Sequence, residues 1–495
     1  MALGEQPRSA LVPLVHITIG NTVLRHRRPP HSDPAATGTA PSVVGDGEPA
    51  QHAPTIGAVP PSSDHRSAAA ATGLEVRPFR ALTYHRRDPE HLARVSSPAY
   101  DLVTSAGRDR LADADPHNVV RLILPLTGRP TGDVDDPARR PAEQAAATLR
   151  QWISTGVLVR DPDPALWLYE LSPPDGAPVT TGWLGAVALP PTGSAAVLPH
   201  EDTCPGAVEG RRELLAGTAT DLEPIVLAHD PHPTVTELTD VARRGPTTLE
   251  LRDADGVGHR LWRVTEPSLL ARLADAWGET SSVIADGHHR FAAAEANARA
   301  QPRRPGSDAV LALVTPMGRG GLRVDPIHRV VPDLGMDAAV TSAAVGFLVE
   351  EMSAKGPADV RAAVRHWLGA VGHPEFLITD GHRVARLSRP SADMTDSIPR
   401  EAPSAWRELD VVLAHHGLLG RLWKRGEVPD AVLIAHTVAG ALALAADRSG
   451  VAVLLRAPSP DAVATVARAG VRMPRKSTLF VPKPRTGLVL RPLAD

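Results

Sequence analysis

Val283-Ile284-Ala285-Asp286-Gly287-His288-His289-Arg290 decides the reading of this chain. A short apolar run ends in an acid and a glycine, and the alanine-rich stretch Phe291 to Ala300 follows. These residue types impose an order of strand, tight turn and helix. The aliphatics make a strand over 283–285, Gly287 permits the sharp turn, and the alanines carry a helix over 290–300. Such a helix start offers its first-turn amides to an anion, with Arg290, His288 and His289 beside them. Two other readings stand next to this one. Asp286 can be a helix N-cap with surface histidines. Asp286, His288 and His289 can also be read as metal ligands, although their spacing follows no standard pattern.

Outward from this motif, strands and helices alternate. Residues 165–171, 182–189 and 309–315 read as strands, and 118–125 as a buried strand stopped by Pro125. Pro141 opens a helix over 141–155, with Ala146, Leu149, Trp152 and Ile153 at helical spacing. Further on, 359–370 and 408–423 are helical by period, and 459–469 forms a helix ending at Gly470. Residues 375–379, 383–387, 431–436 and 450–455 are strand-like. The interleaving has no clean βαβ period, so the expected class is α+β with a mixed sheet core. The expected organisation is 1–73 as a tail, 74–331 as an N-terminal α+β domain, and 332–495 as a C-terminal α+β region that returns to the site. The tail, rich in Pro, Ala, Gly, Ser and Thr, cannot offset its ordering entropy by burial. It reads either as a disordered segment or as an over-extended start, and as dispensable in both cases.

Composition narrows the function. The 495 residues are 42% hydrophobic and 22% charged with a net charge of −3, which argues against bulk capture of nucleic acid. A single cysteine, Cys204, excludes a disulfide framework and a CxxC zinc site. No apolar run approaches the 18 or so residues of a membrane span, and the first 20 residues lack the architecture of a signal peptide. A cytoplasmic protein acting on a small molecule, without nucleic-acid or membrane partners, is the expectation; the sequence leaves its oligomeric state open. Only four of the 53 basic residues are lysines, and two of them, Lys476 and Lys483, lie close together.

Two further polar constellations stand out. In His200-Glu201-Asp202-Thr203, Glu201 is a candidate general base for a substrate hydroxyl, or a solvated loop acid. Met473-Pro474-Arg475-Lys476-Ser477-Thr478 resembles a P-loop only superficially, because Pro474 and Arg475 stand where glycine is needed. Arg475, Lys476, Lys483, Ser477 and Thr478 still suit a phosphate or a carboxylate; the plain alternative is a solvated edge strand. Smaller signals are the turn Ser97-Pro98-Ala99-Tyr100-Asp101 and the Pro326-Ile327-His328-Arg329 segment. The three main constellations are expected to line one cleft, with Glu201, Arg290 and Lys476 within about 12 Å of each other, a span sized for a nucleotide.

In this order, Asp-Gly-His-His-Arg at 286–290, Pro-x-His-Arg at 326–329 and Met-Pro-x-Lys-Ser-Thr at 473–478 resemble the bacterial and archaeal family called domain of unknown function 1015. Weaker supports are Pro78 to Leu82, the turn at 97–101, His200-Glu201-x-Thr203 and Leu409-Asp410-Val411. Ala99 departs from an expected proline, and Leu479 and Val481 from expected aromatics. The motif at 286–290 also resembles the phosphate-binding motif of the ParB/sulfiredoxin superfamily, which includes nucleotide-binding partition proteins, a cysteine-sulfinic reductase and kinases of free serine. The reductase needs a cysteine at the motif, and the partition proteins need a DNA-binding helix-turn-helix; neither is visible here. The resemblance therefore implies an ATP- or ADP-dependent phosphotransferase acting on a small hydroxyl compound, with free serine the candidate. In that reading Gly287, His288, His289, Arg290, Lys476, Ser477, Thr478 and Lys483 hold nucleotide phosphates. Glu201 is the base, and Asp286 is a catalytic residue and Mg²⁺ ligand. His200, Thr203, Tyr100, Asp101, His328 and Arg329 are further site candidates. The alternative is a nucleotide- or metabolite-binding regulatory protein without turnover, and a hydrolase using a metal at the histidines comes last.

Overall fold

In the computed structural model Ser282–Asp286 is a strand and His288–Ala300 a helix, joined by Gly287 at φ 91°. The structure describes residues 73–493 apart from 126–140, 175, 319, 355, 371–374 and 426–430. The expected tail therefore lies outside the described residues except for Gly73. At the start of the described chain the Leu74 amide donates to the carbonyls of Trp277 and Thr280.

The fold is α+β with a mixed sheet at its core. Among the described residues nine strands form that sheet. Eight run in the order 197–198, 282–286, 225–229, 309–316, 180–188, 166–172, 258–264 and 249–252, and Val76–Arg77 pairs with 180–188 off this path. Strand 282–286 is parallel to 197–198 and antiparallel to 225–229, which is in turn parallel to 309–316. Both faces of this sheet are covered. Trp167, Tyr169 and Leu171 enter one core cluster while Leu166 and Leu168 enter another, so the strand reads as a continuous apolar run.

A second, wholly antiparallel sheet has the order 348–352, 384–388, 375–379, 451–454, 328–331 and 433–435. His328–Val331 is thus an inner strand of the second sheet. One apolar cluster joins the two sheets. Val226, Ala228, Val283 and Ala285 of the first pack with Val331, Phe376, Ile378, Val451 and Val453 of the second. The C-terminal segment ties the sheets further, because Leu479–Val481 pairs with Arg323–Asp325 and Arg491–Pro492 pairs with Thr220–Asp221. No helix among the described residues is long and apolar enough to cross a membrane.

The strand expected over 118–125 is instead a helical turn, Val120–Ile123. The Asn118 side-chain amide donates to the carbonyls of Arg94 (2.6 Å) and Ser96 (3.2 Å), and its Oδ1 accepts the Val120 N–H (2.9 Å). That cap turns the chain into a helix, and a fully buried apolar run has no period with which to announce the choice. The helix expected over 408–423 runs from Asp410 to Leu422, widened to π geometry from Ala414.

Gly287 is required by space as well as by φ. A Cβ there would stand 2.8 Å from Ile225 Cγ2. Gly287→Ala is therefore expected to destabilise the chain by about 1–3 kcal/mol, read by chemical denaturation. Gly206→Ala, in a helix with nothing within 4 Å of the added Cβ, should leave stability unchanged or slightly raised.

Candidate active site at the junction of the two sheets

The three polar segments meet. The Met473 amide donates to the His200 carbonyl at 2.8 Å, and the Lys476 amide donates to Glu201 Oε1 at 3.1 Å. His200 Nε2 and Thr478 Oγ1 are 2.8 Å apart. From the helix start, His288 Nε2 accepts the His200 N–H (3.3 Å) and His289 Nε2 accepts the Cys204 N–H (3.0 Å). An imidazole whose Nε2 accepts is neutral, with its proton on Nδ1. Burial lowers both histidines, the more deeply buried His288 further, with neighbouring His200 adding to the effect.

Beneath this contact runs a buried chain of charges. Lys483 Nζ lies 2.5 Å from Asp101 Oδ2 and 2.6 Å from Asp286 Oδ1. Asp286 Oδ2 accepts from Arg290 Nη2 at 2.5 Å, and Arg290 Nη1 donates to the Pro224 carbonyl at 2.5 Å. Glu223 continues the chain. Its Oε1 accepts the Tyr100 amide (3.0 Å) and the Thr486 hydroxyl (3.1 Å). Arg211 and Arg290 lie over the Tyr100 ring at 4.1 and 5.6 Å from its centroid. Burial alone would push the Asp286 carboxyl up, but Lys483 and Arg290 hold it below the ordinary value. Lys483 is pushed up to about 12, because Asp286 and Asp101 outweigh its burial.

These contacts sort the candidates. Lys483, only 8% exposed, and Arg290 are committed to carboxylates, so they position the helix start rather than offer their charge to a ligand. His288 is spent on the His200 backbone, Thr478 on the His200 ring, and Ser477 on the Pro474 carbonyl. His328 accepts the Leu455 amide at 3.3 Å inside the second sheet, and burial pushes it down to about 4. The groups that face outward are fewer. Lys476 and Arg475 are exposed, and the Lys476 charge acts on Asp286, His289 and His436. Arg329 donates to the Arg475 carbonyl (3.1 Å), while its Nη1 is buried without a partner among the described residues. Burial brings Arg329 down to about 10, partly offset by Glu201. Burial raises Glu201, against the Lys476 amide and charge. Thr203 is exposed beside them.

Mg²⁺ does not fit the donor set. Both Asp286 oxygens are taken by cations, Asp101 is paired with Lys483, and no group of three His, Cys, Asp or Glu side chains among the described residues is placed to hold a metal. Asp286 is a positioning residue here. A phosphate does fit, since exposed cations stand beside a helix start whose first amides have no intrahelical acceptors.

Sequence reasoning missed Glu223, Arg211 and His436. Glu223 carried a signal: an acid two residues before the fully buried strand Ile225–His229 needs partners. Nothing near His436 in sequence marks it, since the second sheet carries it to Lys476 and Lys483.

An α+β chain with a glycine-turned helix start beneath a C-terminal basic loop is the class that fold and cleft define. The family model described as "Protein of unknown function (DUF1015)" matches residues 76–412, and the chain belongs to that family. The match stops short of the 473–483 loop. Comparison with curated proteins finds no match. Among solved structures, a conserved hypothetical protein from Pyrococcus furiosus is 14% identical, with TM-score 0.29, over 58% of this chain and 87% of that one. SbnI with C-terminal truncation from Staphylococcus aureus is 11% identical, with TM-score 0.33, over 63% and 88%. A free serine kinase in complex with AMP is 15% identical, with TM-score 0.29, over 58% and 84%. At these values the likeness is distant, and nothing about ligands passes from those proteins to this chain.

Two outcomes follow from the buried charges. Lys483→Met leaves Asp101 and Asp286 facing each other without their shared cation, and is expected to cost about 3–5 kcal/mol in denaturant titration. His200 and His328 are each held near 4 by burial, below their ordinary 6.5. The unfolded chain therefore binds more protons between pH 6.5 and 4, and stability present above pH 6.5 should fall as pH drops through that window. His200→Gln should flatten the slope in urea titrations run across it.

Proposed function

We propose that the chain is a nucleotide-dependent phosphotransferase acting on a small hydroxyl compound, with free serine the first acceptor to try. The observation that carries this reading is the placement of Glu201, a carboxylate raised by burial, against the amide of an exposed lysine at a helix start. The resemblance of 286–290 to the ParB/sulfiredoxin phosphate-binding motif supports it. A bound ATP or ADP supplies the phosphoryl group. Lys476, Arg475 and the first-turn amides of 288–290 hold phosphate charge, in line with a reaction that is mostly positioning and neutralisation. Glu201 takes the proton of the acceptor hydroxyl as its oxygen attacks phosphorus and the bond to the leaving phosphate breaks. The Arg329 charge acts on Glu201 and favours its ionised form. Asp286, Arg290 and Lys483 fix the helix start.

Lys476→Ala is expected to lose a charge-assisted phosphate contact of about 1.5–3 kcal/mol, which weakens nucleotide binding roughly 10- to 150-fold. Glu201→Gln should lower turnover about 10²–10⁴-fold with nucleotide affinity nearly unchanged. It should also abolish a rise in rate with pH that lies above the ordinary carboxylate range. Calorimetry with ATP and ADP beside phosphotransfer to serine and related alcohols reads all three. Normal turnover by Glu201→Gln would remove it as the base. Nucleotide binding without transfer to any acceptor would leave a regulatory binder.

A further inference from the structure

We propose that the chain carries a second binding pocket, which takes a monocarboxylic acid with an apolar body, aliphatic or aromatic. A cavity of about 710 Å³ opens among the helices Ser404–Arg407, Asp410–Leu413 and Pro460–Arg468 and the turn at 456–459. That volume lies in the range of small-molecule sites, which run to about 300–1,000 Å³. None of its lining residues belongs to the segments 200–204, 286–290 or 473–483, so it is distinct from the candidate active site.

The lining selects the ligand. Ile398, Leu409, Val411 and Leu413 form an apolar wall. All four belong to the apolar cluster that joins the two sheets, so the wall is held in place before any ligand arrives. The charged groups of the lining are Arg407, Glu408, Asp410 and Arg456. Three of them need nothing from a ligand. Arg456 Nη2 donates to Glu375 (2.7 Å) and to the Trp367 carbonyl (2.9 Å), and the guanidinium stacks 4.2 Å from the Trp367 ring centroid. Asp410 is already engaged within the chain, and Glu408 is exposed to water. Arg407 is the charge that remains. Its Nε is buried without a hydrogen-bond partner among the described residues, and no carboxylate pairs with its guanidinium there. A buried donor left in that state marks a place for an acceptor. One carboxylate answers it with a charge-assisted hydrogen bond, while the apolar body of the acid covers Ile398, Leu409 and Val411. A neutral ligand would leave the donor as it stands. An amine would set its ammonium against Arg407. A phosphate monoester would bring a second negative charge, which Asp410 and Glu408 oppose.

The full chain tests this by thermal shift and calorimetry with octanoate and 4-phenylbutyrate, beside octanamide, octylamine and octyl phosphate. The two carboxylates should raise the melting point, and octanamide should bind at least about 10-fold more weakly than octanoate, the scale of one lost charged hydrogen bond. Octylamine and octyl phosphate should also bind more weakly. Arg407→Gln should bring octanoate down to the affinity of octanamide. Ala462→Phe fills the cavity while leaving Arg407, and should abolish binding of both carboxylates with the circular dichroism spectrum unchanged; it serves alone should Arg407→Gln fail to fold. Lys476→Ala, in the other cleft, should leave octanoate affinity as it was. Absence of binding by both carboxylates would overturn the proposal. So would binding of octanamide, octylamine or octyl phosphate as tight as that of octanoate, octanoate binding that survives Arg407→Gln or Ala462→Phe, or its loss in Lys476→Ala.

Discussion

The ammonium of Lys483 between Asp101 and Asp286 is the contact on which the arrangement of the site depends. It joins three stretches of chain nearly 400 residues apart: the turn after Pro98, the strand end before Gly287, and the loop after Pro482. Burying those charges is expensive, and Arg290 and Glu223 extend the pairing so that the local charge nearly balances. Such a network adds little net stability compared with an apolar core. What it fixes is register. The helix start, the 97–101 turn and the C-terminal loop have only one mutual placement in which every charge is answered.

That placement puts the candidate cleft where two sheets share one apolar cluster. The first sheet supplies the helix start at its 282–286 strand, and the second brings Arg329 and His436. Neither sheet holds the whole set. The 473–483 loop closes it, returning across both sheets to pair Leu479–Val481 with Arg323–Asp325.

Much of this was legible. The strand, turn and helix around Gly287, the helix at Pro141 and the strands near 165–171, 182–189, 309–315, 375–379, 383–387, 431–436 and 450–455 follow from period and glycine chemistry, whereas Ile225–His229, Leu249–Arg252, Gly258–Val264 and Leu348–Met352 went unread. The α+β class follows from their irregular alternation. The turn at Asn118 was not legible, because a side-chain cap, invisible to hydrophobic period, overrode an apolar run. Within the site, residue type located the neighbourhood but not the roles. Arg290 and Lys483 look like phosphate ligands from sequence. Pairing with Asp286 decides otherwise: for Lys483 it joins positions 197 residues apart, and for Arg290 it is an i,i+4 contact. The same pairing occupies both Asp286 oxygens, where Mg²⁺ was expected.

The two neighbouring lysines therefore have opposite fates, and the backbone shows why. Lys483 is buried between acids, whereas Lys476 is exposed at φ 58°, a left-handed conformation that costs a residue with a Cβ about 1–2 kcal/mol. The loop holds that conformation through the Lys476 amide, which donates to Glu201, and through the Met473 amide, which donates to the His200 carbonyl. The carboxylate proposed as base thus also supports the backbone of the cation proposed to hold phosphate. Removing the Glu201 side chain takes away the acceptor that keeps Lys476 in its strained turn, whereas Glu201→Gln keeps an oxygen in that place. Base and cation are coupled through one hydrogen bond, and the geometry of the cleft depends on the side chain that would do its chemistry.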